Sequence, residues 1–112
     1  MAYEYNGKTI ETDANGYLVN LDDWDEGLAE VIAKENAITL DEKAWDIINY
    51  LRDEYFNNNQ NQPNDRTIIK AMSKQWGTKV GQRDLYKYFP KGPSKQAAKV
   101  AGLPETKRKG GY

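Results

Sequence analysis

Hydrophobic and polar positions alternate near the start of the chain and then shift to a three-to-four-residue period. Tyr3-Glu4-Tyr5 and Thr9-Ile10-Glu11-Thr12 alternate around Asn6-Gly7, which predicts a β-hairpin. A second turn signal, Asn15-Gly16, is followed by Tyr17-Leu18-Val19, read as a further short strand. Leu28, Val31 and Ile32 then fall at helical spacing, and Trp24 extends that face by four residues. Asp22 or Asp23 is read as the N-cap of this helix, where carboxylates suit the positive end of the helix dipole. Ile38-Thr39-Leu40 crosses to the clearest element, a helix capped by Asp41 with Trp45, Ile48, Leu51, Arg52 and Tyr55 on one face. The polar run Asn57-Asn58-Asn59-Gln60-Asn61-Gln62-Pro63-Asn64 stops it.

Three shorter helical segments follow. Asp65 is read as the cap of a helix from Arg66 to Trp76, with Ile68, Ile69, Met72 and Trp76 apolar and Gly77 as its end. Gly81 precedes Leu85-Tyr86-Lys87-Tyr88-Phe89, which Pro90, Gly92 and Pro93 close. Ser94 is read as the cap of Lys95 to Ala101, ended by Gly102 and then Pro104. The fold class is α+β: an N-terminal β-hairpin, then a small orthogonal helical bundle with a helix-turn-helix-like pair and a flexible C-terminal arm. Residues 1–104 form a single domain, and 105–112 form a flexible basic tail without a packing pattern.

Composition narrows the chemistry. A length of 112 residues is one domain's worth. The net charge of −1 conceals a split: residues 1–56 carry 14 acidic and 4 basic side chains, residues 57–112 carry 3 acidic and 12 basic. Such asymmetry points to a basic docking face for nucleic acid or an acidic protein. Cysteine and histidine are both absent, which excludes disulfides, thiolate or imidazole zinc sites, and Cys-His or Ser-His catalysis. No apolar run reaches the length of a membrane span, and Met1-Ala2-Tyr3-Glu4 lacks the start of a signal peptide. The expectation is a soluble cytoplasmic protein with no membrane association.

The basic residues recur every four positions. Arg66, Lys70 and Lys74 form one series, and Lys79, Arg83, Lys87, Lys91, Lys95 and Lys99 another, broken at Gly92-Pro93. The segments Arg66–Trp76 and Gln82–Phe89 match a helix-turn-helix in size, and a basic second helix suits phosphate contacts. The same stripe equally fits a solvated helix face or a surface for a partner protein. Few Asn, Gln or Arg residues are placed to read base edges. The cluster Asp22-Asp23-Asp25-Glu26 lacks the glycine and ligand spacing of a calcium loop and fits helix capping. The three tryptophans fit the apolar faces of their helices, Ser73 and Ser94 have no histidine partner, and Asp53-Glu54 point apart. No catalytic constellation, metal site or cofactor site emerges, so the chain is not expected to be an enzyme.

The segment Tyr88-Phe89-Pro90-Lys91-Gly92-Pro93-Ser94-Lys95-Gln96-Ala97-Ala98-Lys99-Val100-Ala101-Gly102-Leu103-Pro104 closely resembles the signature of the DsrC/TusE sulfur-relay family. The resemblance extends back through Arg66-Thr67-Ile68-Ile69-Lys70-Ala71-Met72, Trp45-Asp46-Ile47-Ile48-Asn49-Tyr50-Leu51-Arg52 and Asp13-Ala14-Asn15-Gly16-Tyr17-Leu18. It implies a small cytoplasmic protein with a hairpin, a helical bundle and a mobile arm whose terminal cysteine holds sulfur as a persulfide or trisulfide. TusE-type members pass that sulfur toward tRNA thiouridine synthesis. DsrC-type members have a second, earlier cysteine and serve dissimilatory sulfite reductase.

At those two positions this sequence has Ala98 and Lys109, and Glu105-Thr106-Lys107-Arg108 replaces the usual Lys-Pro-containing approach. The thiolate is the sulfur-carrying group, so the resemblance implies a scaffold without its carrier atom. Three readings follow: a cysteine-free member docking non-covalently on sulfite reductase-like or Tus-type partners, a DNA-binding regulator using the basic half, or an altered form of a carrier. The candidate partner-binding residues are Arg66, Lys70, Lys74, Arg83, Lys87, Lys91, Lys95, Lys99, Lys107, Arg108 and Lys109.

Overall fold

In a computed structural model of the chain, which describes residues 2–105, strands β1 (Ala2–Tyr5) and β2 (Lys8–Glu11) pair antiparallel, with Tyr3 opposite Ile10. Asn6 and Gly7 both take positive φ, 51° and 74°, the conformation that a two-residue hairpin needs to match the strands' twist. The alternation puts Tyr3 and Ile10 on the core face. The third strand expected at Tyr17–Val19 reduces to one bridge between Thr12 and Leu18. The Asp13 carboxylate explains the difference, because Oδ1 accepts from the N–H groups of Asn15 (2.8 Å) and Tyr17 (3.1 Å). A side chain thus organises this turn in place of a ladder, and Val19 is left 64% exposed.

The helices form where their apolar periodicity lies, but several caps differ from expectation. Asn20 caps a short 3-10 turn, Leu21–Asp23, by accepting from the Asp22 N–H. Helix α1 (Glu26–Glu35) is capped by Asp25, whose Oδ1 accepts from the Leu28 N–H at 2.8 Å. Neither Asp22 nor Asp23 caps it. Trp24 stands between the two elements in extended backbone, φ −78° and ψ 137°, so its indole is not part of the α1 face. Helix α2 (Glu42–Asn57) is capped by Asp41 as expected and buries Ala44, Ile47, Ile48 and Leu51. Helix α3 (Asp65–Trp76) is capped by Asn64, which accepts from the Thr67 N–H, and Asp65 is its first, buried residue. Two adjacent residues both qualified as caps; the one left over went into the interior.

Helix α4 (Gln82–Tyr88) follows a five-residue connection and packs on α3. The chain then makes a π-helical turn, Pro93–Ala97, that runs directly into α5 (Ala98–Val100). Ser94 therefore lies inside a helical turn whose N-cap position is Gly92. Leu28, Ile32, Ile47, Ile48, Ile68, Met72, Leu85 and Phe89 meet in one core with Ala97, Val100, Ala101 and Leu103. The C-terminal segment is thus enclosed by the bundle, with α5 against both α1 and α2. Truncating one such leucine or isoleucine to alanine costs about 2–5 kcal/mol. Among the described residues, no helix is long and apolar enough to cross a membrane.

Candidate functional site

The root of the C-terminal arm is fastened by side chains from four separate regions. Helix α5 ends in a Schellman motif: the Gly102 N–H donates to the Lys99 carbonyl (3.1 Å) and the Leu103 N–H to the Ala98 carbonyl (3.0 Å). Gly102 takes φ 73°, and any Cβ there would overlap the Trp24 ring. The Trp24 indole N–H donates to the Val100 carbonyl at 2.8 Å. Arg52 donates through Nη1 to the Ala101 carbonyl at 2.6 Å. Its guanidinium lies 3.7 Å from the centre of the Trp24 ring and 4.8 Å from that of Phe56, a cation–π stack that only the planar group can make on both faces. Burial lowers the Arg52 pKa from its usual value. Gln62 donates to the Pro104 carbonyl (2.8 Å), and Asn15 Nδ2 to Glu105 Oε1 (2.9 Å).

Two further anchors hold the π-helical turn. Asp65 Oδ1 accepts from the Ser94 N–H at 2.8 Å, and Oδ2 from the Tyr86 hydroxyl at 3.3 Å, so one carboxylate joins α3, α4 and the start of the arm root. The Tyr17 hydroxyl donates to the Lys95 carbonyl at 3.1 Å. Its pKa is pushed up to about 12, by burial first and then by the charges of Glu105, Asp13 and Tyr3. Tyr17 is therefore a neutral donor across the physiological range. Sequence patterning placed Arg52 on an apolar helix face and gave Trp24, Gln62 and Asp65 no role at the arm. Their partners are 29 to 76 residues away in sequence, and no local spacing marks such pairs.

The basic residues divide among α3, two hollows beside α4 and a cleft at the arm root. Arg66, Lys70 and Lys74 stand exposed along α3. Lys87 joins Lys43, Lys79, Trp76 and Tyr88 around a hollow of about 320 Å³, with Lys43 Nζ 4.9 Å from the Trp76 ring centre. Arg83 lines a wide hollow with Gln82 and Tyr86 on the exposed side of α4. Lys91, Lys95 and Lys99 line one cleft with Asn15, Tyr17, Gln96 and Glu105. Lys107, Arg108 and Lys109 lie outside the described residues. The tryptophans are partly buried against the core, and Trp76 donates its indole N–H to Asp46 Oδ2. Among the described residues no group of three or more Asp, Glu, His or Cys is arranged to hold a metal ion.

Ala98 is 2% exposed, with its methyl in the core and its carbonyl closing the Schellman motif. That position lies within the segment on which the sequence resemblance is most specific, and comparison with known proteins covers almost the whole chain. The family model described as DsrC like protein matches residues 4–108. The sulfurtransferase TusE of Yersinia pseudotuberculosis is 47% identical over 103 residues, covering 91% of this chain and 94% of the relative. The sulfurtransferase TusE of Escherichia coli K12 is 45% identical over 102 residues, covering 90% and 93%. The NMR structure of Allochromatium vinosum DsrC is similar with a TM-score of 0.83 at 44% identity, covering 96% of each chain. The crystal structure of the oxidized gamma-subunit of dissimilatory sulfite reductase (DsrC) from Archaeoglobus fulgidus gives a TM-score of 0.88 at 34% identity, covering 96% and 98%. The hairpin and helical bundle agree with these relatives, and the chain belongs to the DsrC/TusE family of sulfur-relay proteins while containing no cysteine.

Proposed function

We propose that this chain docks in the cytoplasm on its family's sulfur-metabolism partners, a sulfite reductase-like or Tus-type relay protein, and modulates their use without accepting sulfur. One observation carries the reading: the family scaffold is intact through the arm root, yet the 112 residues include no thiol. A persulfide forms on a thiolate. The two methionines, Met1 and Met72, have thioether sulfurs, which cannot form one. What the scaffold retains is a shape and a charge pattern. Arg66, Lys70, Lys74, Arg83 and Lys87 on the two exposed helices, with Lys91, Lys95 and Lys99 at the arm root, offer a cationic surface to an acidic partner. Lys107, Arg108 and Lys109 extend that surface in sequence. Complementary charge sets encounter rate and partner choice. The role is that of a binding protein, occupying a partner that a thiol-bearing carrier would otherwise engage.

The test is retention of sulfite reductase-like and Tus-type partners on the immobilised chain, followed by elution with salt and intact mass measurement. Recovery of a partner, with neither protein gaining mass, supports the reading. Failure to retain any such partner at low salt sinks it. Sequence-selective retention of DNA that survives physiological salt would instead assign the basic half to gene regulation.

A further inference from the structure

We propose that the cleft between the arm root and the hairpin turn is a binding site for a small oxyanion, and that the Glu105 carboxylate is its built-in competitor. The cleft encloses about 230 Å³, room for a tetrahedral oxyanion and several waters at ~30 Å³ per water. Three lysines line it, Lys91, Lys95 and Lys99. Lys95 and Lys99 are one helical turn apart, so their like charges repel until an anion lies between them. Lys99 is partly engaged, with Nζ 3.5 Å from Asn36 Oδ1 and 5.3 Å from the Tyr17 ring centre. Among the described residues, neither Lys91 Nζ nor Lys95 Nζ has a hydrogen-bonding or ionic partner.

The rest of the lining fits the same ligand. Tyr17 stays neutral because burial and nearby carboxylates hold its proton, so it adds no repelling charge. Gln96 is buried, and its Oε1 accepts from the Lys91 N–H at 3.0 Å, which fixes the backbone that carries Lys91. The one anion lining the cleft is Glu105, held there by Asn15 Nδ2. It is the last described residue before the arm continues. An incoming oxyanion would compete with this carboxylate for the positive field of the lysines, coupling ligand binding to release of Glu105 from Asn15. The proposal does not depend on partner docking, because no partner takes part in its test.

The test is isothermal titration of the full chain with sulfate, phosphate and sulfite in separate runs, against a constant background of chloride to level screening. One saturable site is expected for at least one of the three. Lys95→Gln, which removes an ammonium with no partner among the described residues, should weaken it about tenfold with the fold intact by circular dichroism. Glu105→Gln should tighten it several-fold. The proposal is overturned if neither the wild-type chain nor Glu105→Gln binds any of the three above chloride. It is overturned equally if Lys95→Gln binds as well as wild type, or if Glu105→Gln leaves the affinity unchanged or lower.

Discussion

Replacing Gly102 by alanine should be among the most damaging single-methyl changes in the chain. Gly102 has φ 73°, where an L-residue with a Cβ is disfavoured by about 1–2 kcal/mol. An added Cβ would also sit 2.5 Å from Trp24 Cγ and 2.8 Å from Trp24 Cβ, and closer still to Cδ1. The Trp24 ring has little freedom to yield, because the Arg52 guanidinium is stacked on it and its N–H is committed to Val100. Overpacking of this kind costs about 1–3 kcal/mol, and losing the indole hydrogen bond adds ~1 kcal/mol. A loss of roughly 3–6 kcal/mol is expected, a large share of the ~5–15 kcal/mol that holds a domain together. Calorimetry should show the midpoint falling by at least about 10 °C, at ~4 °C per kcal/mol for a chain of this size. The two causes separate in a second background: Trp24→Gly removes the Cβ as well as the ring, and there Gly102→Ala should cost only the ~1–2 kcal/mol of backbone strain. A wild-type midpoint for Gly102→Ala, or an equal cost in both backgrounds, would refute the packing argument.

Other expectations concern the same region. Arg52→Lys keeps the charge but cannot stack on Trp24 and Phe56 together, and should lose about 1–2 kcal/mol by denaturant unfolding; an unchanged midpoint would contradict it. Tyr17 has its pKa raised to about 12 in the fold, against roughly 10 when unfolded. Its contribution is thus fully present below pH ~10 and lost as pH rises toward ~12. The alkaline decline of stability should be shallower in Tyr17→Phe, and parallel curves for the two proteins would exclude Tyr17 as the source. Lys109→Cys puts a thiolate at the position that the resemblance aligns with the family's carrier cysteine. Intact mass after exposure to a persulfide donor should then show one added sulfur atom, the donor leaving as a thiolate. An adduct on the unsubstituted chain would contradict its non-carrier role.

Much of this architecture is visible in the order of residues, because local physics decides it. Asn6-Gly7 can hardly do anything but turn a hairpin, and Asp41 caps the long helix whose apolar stripe follows it. The alternation of charge sign across the loop before α3 likewise survives in the fold. What was not legible is long-range. Asp65 reads as a cap in sequence, and becomes a buried tether because Asn64 takes the cap and the Ser94 N–H donates to the Asp65 carboxylate. Trp24 reads as helix face, but the arm root draws it out into extended backbone to meet Val100. Residues spaced evenly as one basic stripe divide among α3, α4 and the arm-root cleft, because α3 ends at Gly77 and α4 at Phe89, so no single helix carries them. The family signature located the arm root; only coordinates could show what clamps it.

The central claim is that the scaffold still engages the family's partners although its sulfur-carrying atom is gone. Competition measures this most directly: a fluorescently labelled, cysteine-bearing TusE or DsrC is bound to its relay partner, and this chain is titrated in while anisotropy is followed. Full displacement of the labelled carrier is expected, with the recovered chain unchanged in mass. An anisotropy that stays at its bound value even at about a hundredfold excess, where displacement would cost under ~3 kcal/mol of affinity difference, would contradict it.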